Sequence, residues 1–444
     1  MLSYLEMDKQ ELLERKTYLE ARYQELKAKN LNLDISRGKP ETRQLDLSMD
    51  LFDTINSTSI LVGEDGIDLR NYSTPNTVTG ITEGKRLLAS MSGVSEENVI
   101  VYGNASLNIM YDTISRAVTH GVLGETPWCK LDKVKFLCPV PGYDRHFAIT
   151  EHFGIDMINI SMTDSGPDMD RIEALVSADD SIKGIWCTPK YSNPSGDTYA
   201  DETVIRFANI KPAAKDFRIF WDNAYCIHHL YEDDQDYIRN ILTECEKAGN
   251  PDLVYMFFST SKVSFGGAGI SGMAISKANK EEIEQQLKVQ TIGHDKINQL
   301  RHALYFKDID GLNAHMKKHA EILRPKFKII EEALEKELAG SQIASFNNPK
   351  GGYFISFNAM EGCAKSIVEK CKEAGVVLTA AGSTFPYGKD PKDSNIRLAP
   401  SFAPLEDLAV AMEVFIVSTK LVSIDKLLIN KMDSMSHLEE ETDP

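Results

Sequence analysis

No stretch of the chain approaches the ~20 consecutive apolar residues needed to cross a bilayer as a helix. Its opening, Met1-Leu2-Ser3-Tyr4-Leu5-Glu6-Met7-Asp8, has neither the basic leader nor the apolar segment of a secretion signal. A membrane protein and a secreted one are therefore not expected. Cysteines are few and odd in number, seven with no CxxC, and most sit in apolar runs. This excludes a disulfide framework and suits reduced thiols packed in the core of a cytoplasmic protein. No metal-ligand spacing occurs. His228-His229 are adjacent and would point to opposite faces of a strand, so they read as ordinary polar residues. No GxGxxG follows a strand-like run and no Walker lysine is present, which argues against a plain nucleotide-binding module. Positive charge is in deficit, 49 Lys and Arg against 66 Asp and Glu for a net charge of −17, and this opposes binding to nucleic acid or anionic membrane. Internal repeats and low-complexity blocks are also missing.

What remains is an ordinary globular composition, 42% hydrophobic and 26% charged, in a chain of 444 residues that is long enough for two domains. Residues 4–29 have apolar positions at helical spacing. From about 80 to 290, apolar runs such as Val99-Ile100-Val101-Tyr102, Lys135-Phe136-Leu137-Cys138, Gly184-Ile185-Trp186-Cys187, Arg218-Ile219-Phe220-Trp221 and Val254-Tyr255-Met256-Phe257-Phe258 alternate with helical patterns. That alternation predicts an α/β domain around a mostly parallel sheet, with ligands at the strand C-termini. After about 295 the pattern changes. One long helical stretch is expected over 296–338, interrupted at Pro325. Short strands near 352–357, 376–379 and 396–398 follow, with helices at 363–374 and 405–420, which together read as a smaller α+β domain. The acidic tail from 431 to 444 reads as disordered.

The chemistry-bearing residues cluster where the strands end. Lys262 closes the run Phe257-Phe258-Ser259-Thr260-Ser261-Lys262 and precedes Phe265-Gly266-Gly267-Ala268-Gly269. A lysine there is partly desolvated, which favours the neutral amine needed for a Schiff base. Trp221-Asp222-Asn223-Ala224-Tyr225 places an acid at a strand end and a phenol three residues on. Thr188-Pro189-Lys190-Tyr191-Ser192-Asn193-Pro194-Ser195-Gly196 turns the chain and presents the Asn193 amide. Gly103-Asn104-Ala105-Ser106 follows a strand and opens a helix, where backbone N–H groups make a seat for an anion. Pro141-Gly142-Tyr143-Asp144-Arg145-His146 follows another strand, and Asn395-Ile396-Arg397-Leu398 supplies a late arginine. Taken singly, each has an ordinary structural reading: a strand-end lysine, a helix-capping aspartate, a packed phenol, a turn asparagine, a surface histidine, a strand-to-helix turn.

Taken in order, lysine, aspartate with phenol, asparagine and arginine resemble the class I aminotransferases, the fold-type I pyridoxal phosphate enzymes. The resemblance runs from about residue 34 to 417. Ser36-Arg37-Gly38-Lys39-Pro40 and the glycine-rich turn after Lys262 resemble a divergent bacterial, MocR-like aspartate aminotransferase branch in particular. It implies the fold-type I α/β fold: a large domain (49–300) with a mostly parallel seven-stranded sheet flanked by helices, and a small α+β domain formed by 1–48 and 301–430. It implies pyridoxal 5'-phosphate as cofactor, with Lys262 bonding it and then acting as base, Asp222 pairing with the ring nitrogen, and Tyr225 and Asn193 donating to the ring oxygen. Tyr143 would stack on the ring, and His146 would orient Asp222. The phosphate would rest on Gly103, Asn104, Ala105 and Ser106 with Ser259 and Ser261. Arg397, with Gly38 and Asn193, would bind the substrate α-carboxylate. Tyr72 would reach the phosphate of a neighbouring subunit, making a homodimer with shared active sites. One position departs from the family pattern: Ile270 stands eight residues beyond the lysine, where an arginine usually grips the phosphate. Lys296 is the candidate replacement or a side-chain carboxylate ligand, and Arg37 and Lys39 are further candidates for that carboxylate. The activity implied is transfer of an amino group, from aspartate or glutamate, to a 2-oxo acid such as 2-oxoglutarate. Transamination of another amino acid, a β-lyase and a non-catalytic effector domain of a transcription regulator are the alternatives on the same fold.

Overall fold

The computed structural model describes residues 3–440, with side chains described through Met432. Numbered along the chain, the strands are β1 (Leu33–Asp34), β2 (Val99–Tyr102), β3 (Lys135–Val140), β4 (Asp156–Thr163), β5 (Gly166–Pro167), β6 (Ile182–Cys187), β7 (Arg218–Asp222), β8 (Val254–Ser259), β9 (Ser271–Ala274), β10 (Ala344–Phe346), β11 (Ile355–Ala359), β12 (Val376–Val377) and β13 (Asn395–Leu398). Every residue of β2, β6 and β7 is buried, as a strand covered by helices on both faces requires. The central sheet has the order β2-β9-β8-β7-β6-β3-β4-β5, and only β9 and β5 run against the rest. The C-terminal ends of β2, β3, β6, β7 and β8 therefore open on one edge, and each carries one of the motifs described above.

The sheet has eight strands among the described residues, where seven were expected. The extra one, β5, is only two residues long and folds back on β4 through Met162↔Pro167 and Thr163↔Gly166. A Gly-Pro pair carries no strand signal in a sequence, and proline is tolerated here because the pair lies at the sheet edge.

The second region contains the antiparallel sheet β10-β11-β13 and the parallel pair β1–β12. Leu12, Leu19, Tyr23 and Leu26 of the helix Lys9–Lys27 share one apolar core with Phe327, Ile330 and Leu334 of the helix Ile309–Leu338 and with Val414 and Phe415 of the last helix. Asp8 caps the first of these helices, its carboxylate accepting from Glu11 N while the Glu11 side chain accepts from Asp8 N.

Two expectations about helices are corrected. The long stretch breaks at 307–308 rather than at Pro325: Lys307 adopts a left-handed φ of 67°, and Asp308 caps the second helix by accepting from Gly311 N. Pro325 lies inside that helix, and the carbonyl its missing N–H leaves unpaired belongs to Glu321, an exposed residue. The final helix runs over Leu405–Glu440, well past 420, so residues 431–440 are helical where a disordered tail was expected; 441–444 lie outside the described residues. Apolar residues stay buried as far as Leu427, and beyond that point extending an existing helix through good helix formers costs little.

Among the described residues, one charged side chain, that of Lys326, is wholly buried. Lys326 Nζ donates to Glu41 Oε2 at 2.9 Å and to the carbonyl of Ser401 at 2.9 Å, and Ser401 Oγ donates to the carbonyl of Lys39. Residues 37–41 are thereby tied to the segment that follows β13. Desolvation lowers the Lys326 pKa, and its bond to the Glu41 carboxylate opposes that shift. Glu41 is only part-buried and also pairs with Arg43, so removing its charge is the costly change: it leaves Lys326 buried without a counter-ion, at about 3–5 kcal/mol. Glu41→Gln is expected to lose stability of that size in urea denaturation, and the double change with Lys326→Met is expected to recover most of it. Equal losses in the single and double variants would contradict the pairing.

Candidate active site

The lysine loop is closed by its own backbone. Thr260 N donates to the carbonyl of Ile270 at 2.8 Å, and Ile270 N donates to Thr260 Oγ1 at 2.9 Å. Gly269 is required at this crossing, because a Cβ there would lie 2.8 Å from Thr260 Oγ1. Lys262 is half-buried, and its Nζ sits 4.9 Å from the centre of the Tyr225 ring. Beneath the loop lies a buried polar layer. His315 Nε2 is 2.9 Å from the carbonyl of Val263 and 3.2 Å from Ser48 Oγ. His319 bridges His315 and Gln44, each at 3.1 Å; Gln44 Nε2 donates to Tyr353 OH, which donates to the carbonyl of Lys262 at 3.5 Å. Ser264 Oγ and His302 Nε2 are 2.8 Å apart. The sequence reading missed this layer. Its signal was slight, two histidines four apart on the apolar face of one helix.

β7 delivers Asp222 to the sheet edge, in register with Phe257 of β8. His146 Nε2 lies 2.9 Å from Asp222 Oδ2, and the imidazole stacks on Trp186 at 4.4 Å with 7° between planes. Trp186 is itself fixed by donating to Thr150 Oγ1. The other carboxylate oxygen, Oδ1, is buried and has no partner. Tyr143 packs edge-on against His146, and burial pushes its phenol up to about 12. Burial also raises the Tyr225 phenol, so both hydroxyls remain protonated donors at neutral pH. His228, read from sequence as ordinary, is buried between Tyr225 and Tyr353 with neither ring nitrogen bonded, and burial holds its pKa well below the usual value.

Arg397 reaches the same cleft from β13. Its Nη1 donates to Asn193 Oδ1 at 3.1 Å and to Asp144 Oδ1 at 3.3 Å, its Nη2 to Thr379 Oγ1 at 3.4 Å, and the guanidinium lies over Phe354. A Cβ on Gly38 would meet Phe354 at 2.2 Å, so only glycine lets residues 36–40 pass here. The cleft, about 510 Å³, is lined by Gly38, Tyr143, Asn193, Asp222, Tyr225, Lys262 and Arg397, a size suited to a small ligand. Ser106 also lines it, at the start of the helix Ser106–His120, whose N-cap, Ala105, leaves the first backbone N–H groups without a side-chain acceptor. Gly103, Asn104, Ala105, Ser259 and Ser261 stand outside the lining. They abut one another, since Ser261 Oγ donates to the carbonyl of Asn104 and Ser259 Oγ to Ser261 Oγ. Ile270 is buried in the core and brings no cation. Tyr72 is 77% exposed; Lys296 Nζ is occupied by the carbonyl of Asn71 at 2.6 Å and by Ser73 Oγ; neither lines this chain's cleft. Asp144, Arg145, Thr188, Phe354 and Thr379 line it without having been singled out from sequence.

An α/β sheet that presents a lysine and a buried acid with one free oxygen on its C-terminal edge, faced by an arginine fork from the smaller sheet, defines a lysine-centred α/β transferase. A family model described as aspartate amino-transferase matches residues 7–431. The aspartate aminotransferase of Corynebacterium glutamicum is 43% identical over 396 residues, covering 89% of this chain and 90% of that protein. The crystal structure of an aspartate transaminase from the same species superposes with a TM-score of 0.92 at 40% identity, over 96% of this chain and 99% of that one. The α-aminoadipate aminotransferase of Thermus thermophilus, solved with N-(5'-phosphopyridoxyl)-L-leucine, has the same fold at 17% identity, with a TM-score of 0.69 over 89% of this chain and 93% of its own. The chain belongs to the aspartate aminotransferase family, and it is an aminotransferase.

The histidine layer makes stability depend on pH. Burial holds His302 down to about 4 and His319 down to about 3. In the unfolded chain both take up a proton near 6.5. Between that value and the folded ones the unfolded state binds more protons, so stability is lost as pH falls, by up to ~1.4 kcal/mol per pH unit for each group. Unfolding free energies measured from pH 7 to pH 5 are expected to decline, and His319→Gln to flatten the decline. An identical slope in the variant would remove His319 from this role.

Proposed function

We propose that the chain is a pyridoxal 5'-phosphate-dependent aminotransferase that moves the amino group of aspartate or glutamate to a 2-oxo acid such as 2-oxoglutarate. The observation that carries the reading is Asp222. Its Oδ2 is held by His146 while its Oδ1 is buried with nothing to accept from. A buried carboxylate oxygen calls for a donor, and a protonated pyridine nitrogen entering the cleft is one. When bound, the cofactor supplies an aldehyde and an electron-withdrawing ring.

The residues present fit that group. Lys262 would supply the amine that anchors it and the base that takes the proton from the substrate α-carbon. Asp222 keeps the ring nitrogen protonated, and His146, clamped by Trp186, keeps the carboxylate aimed. Tyr225 and Asn193 would donate to the ring oxygen, and Tyr143 would cover a ring face. Ser106 at the cleft, with the N–H groups of residues 103–106 and the hydroxyls of Ser259 and Ser261 behind it, would seat the phosphate. Arg397 binds the α-carboxylate, with Asn193 and Gly38 beside it. Tyr72 and Lys296 lie away from this chain's cleft and close to each other through Asn71. That placement supports a homodimer in which they complete the neighbouring site. The large part over 49–300, the small part over 1–48 and 301–430, and a cytoplasmic location complete the proposal.

The dicarboxylic substrate is supported by charge. Arg37, Lys39 and Arg145 line the cleft, all exposed, and none forms an ion pair at contact distance among the described residues, although Asp34 acts on Arg37 and Lys39 through space and Lys39 Nζ lies over the Phe402 ring. In a chain of net charge −17, three such cations at one mouth favour a second anionic group on the ligand. Single half-reactions with a panel of amino acids, followed by cofactor absorbance, are expected to be fastest with aspartate or glutamate, and a clear preference for leucine, phenylalanine or alanine would defeat the assignment. Asp222→Ala is expected to slow α-proton exchange by about 10²-fold or more while moving the melting temperature little, because the lost interaction gains value as negative charge develops on the ring. Near-normal exchange would remove Asp222 from its role.

A further inference from the structure

Arg397 already has a carboxylate beside it. Asp144 Oδ1 accepts from Nη1 at 3.3 Å, sharing that nitrogen with Asn193 Oδ1. A well-engaged guanidinium–carboxylate pair makes two parallel bonds of about 2.7–2.9 Å. Asp144 makes one, and it is long; the Arg397 Nε is buried without a partner. The arginine side chain is 9% exposed and that of Asp144 is 36% exposed. Asp144 is therefore a weak counter-ion: it offsets a buried cation but does not hold the fork against a bidentate competitor. Among the described residues it is also the only acidic side chain lining the cleft besides Asp222, and Arg145, exposed and without a carboxylate at ion-pair distance, follows it in the first turn of the helix Asp144–His152.

We propose that Asp144 is a specificity-determining residue, a resident carboxylate that a substrate must displace from Arg397. The inference rests on the aminotransferase reading above, with a dicarboxylic substrate. A ligand with one carboxylate puts a second anion beside the same guanidinium and meets like-charge repulsion from Asp144. A ligand with two carboxylates is largely spared it, because its distal carboxylate draws the adjacent Arg145, with Arg37 and Lys39, against Asp144 and screens that charge. Selectivity is a difference between two affinities, and Asp144 acts on it by penalising the wrong ligand more than the right one. A purely structural Asp144, one that merely holds Arg397 in place, has the opposite signature: removing its charge would loosen the fork and weaken every carboxylate ligand.

The test uses the holoenzyme and two unreactive probes, succinate with two carboxylates and butyrate with one, titrated through the cofactor absorbance. Asp144→Asn keeps the side chain's shape and hydrogen-bonding oxygen and removes the charge. The variant is expected to bind butyrate at least about fivefold tighter and to change succinate binding by less than about twofold, so that the preference for succinate falls. Arg145→Gln is the second arm, expected to weaken succinate and leave butyrate unchanged. The proposal is overturned if Asp144→Asn binds both probes more weakly, or if its preference for succinate is unchanged or increased. A wild-type enzyme that fails to prefer succinate would sink the dicarboxylate reading itself, an outcome distinct from failure of the Asp144 variant alone.

Discussion

The site depends on one half-satisfied carboxylate. Asp222 is carried to the sheet edge by a strand buried on both faces, and His146 fixes one of its oxygens at 2.9 Å while the other faces inward unpaired. A buried charge with a free acceptor is costly unless a partner arrives. Everything nearby limits what that partner can be. Tyr143 and Tyr225 wall the cleft, Lys262 lies over the Tyr225 ring, and Arg397 stands at the far side against Phe354. The stack of Trp186 on His146 ties the aim of Asp222 to the hydrophobic core, so the chemistry and the packing share one set of residues.

The mouth of the cleft has a different logic. Inside, charges are paired or poised for pairing; outside, Arg37, Lys39 and Arg145 stand exposed in a protein that is otherwise strongly acidic. The segment that carries two of them is anchored through Glu41 to the buried Lys326, which also holds the chain just after β13. The loop near Gly38 and the strand bearing Arg397 are thus set by the same buried ion pair. Ile270 is in the core and brings no cation, so under the proposed function a phosphate would be gripped by backbone N–H groups and hydroxyls, where a helix start contributes roughly 0.3–2 kcal/mol for a single charge.

What was legible in the sequence lay on contiguous stretches. Asp222 and Tyr225, the turn around Asn193 and the loop of Lys262 each follow an apolar strand directly, so strand pattern and motif reinforced one another, and the cleft brings Lys262, Asp222, Tyr225, Tyr143, Asn193, Gly38 and Arg397 together. What was not legible depends on pairings between distant positions. The contact of Asp144 with Arg397 spans 253 residues, and that of Gln44 with His319 spans 275. No local pattern marks either. The helix break at Lys307 was hidden for a related reason: apolar spacing continues across it, and only the backbone angle and the Asp308 cap reveal it. The two-residue β5 was too short to have a period at all.

The central claim is that Lys262, and no other amine in the chain, bonds the cofactor. Reconstitution with pyridoxal 5'-phosphate, reduction with borohydride and peptide mapping by mass spectrometry test it directly. The account predicts a single phosphopyridoxyl adduct, on Lys262, lost in Lys262→Ala. An adduct on another lysine, such as the buried Lys190 or Lys296, would contradict it.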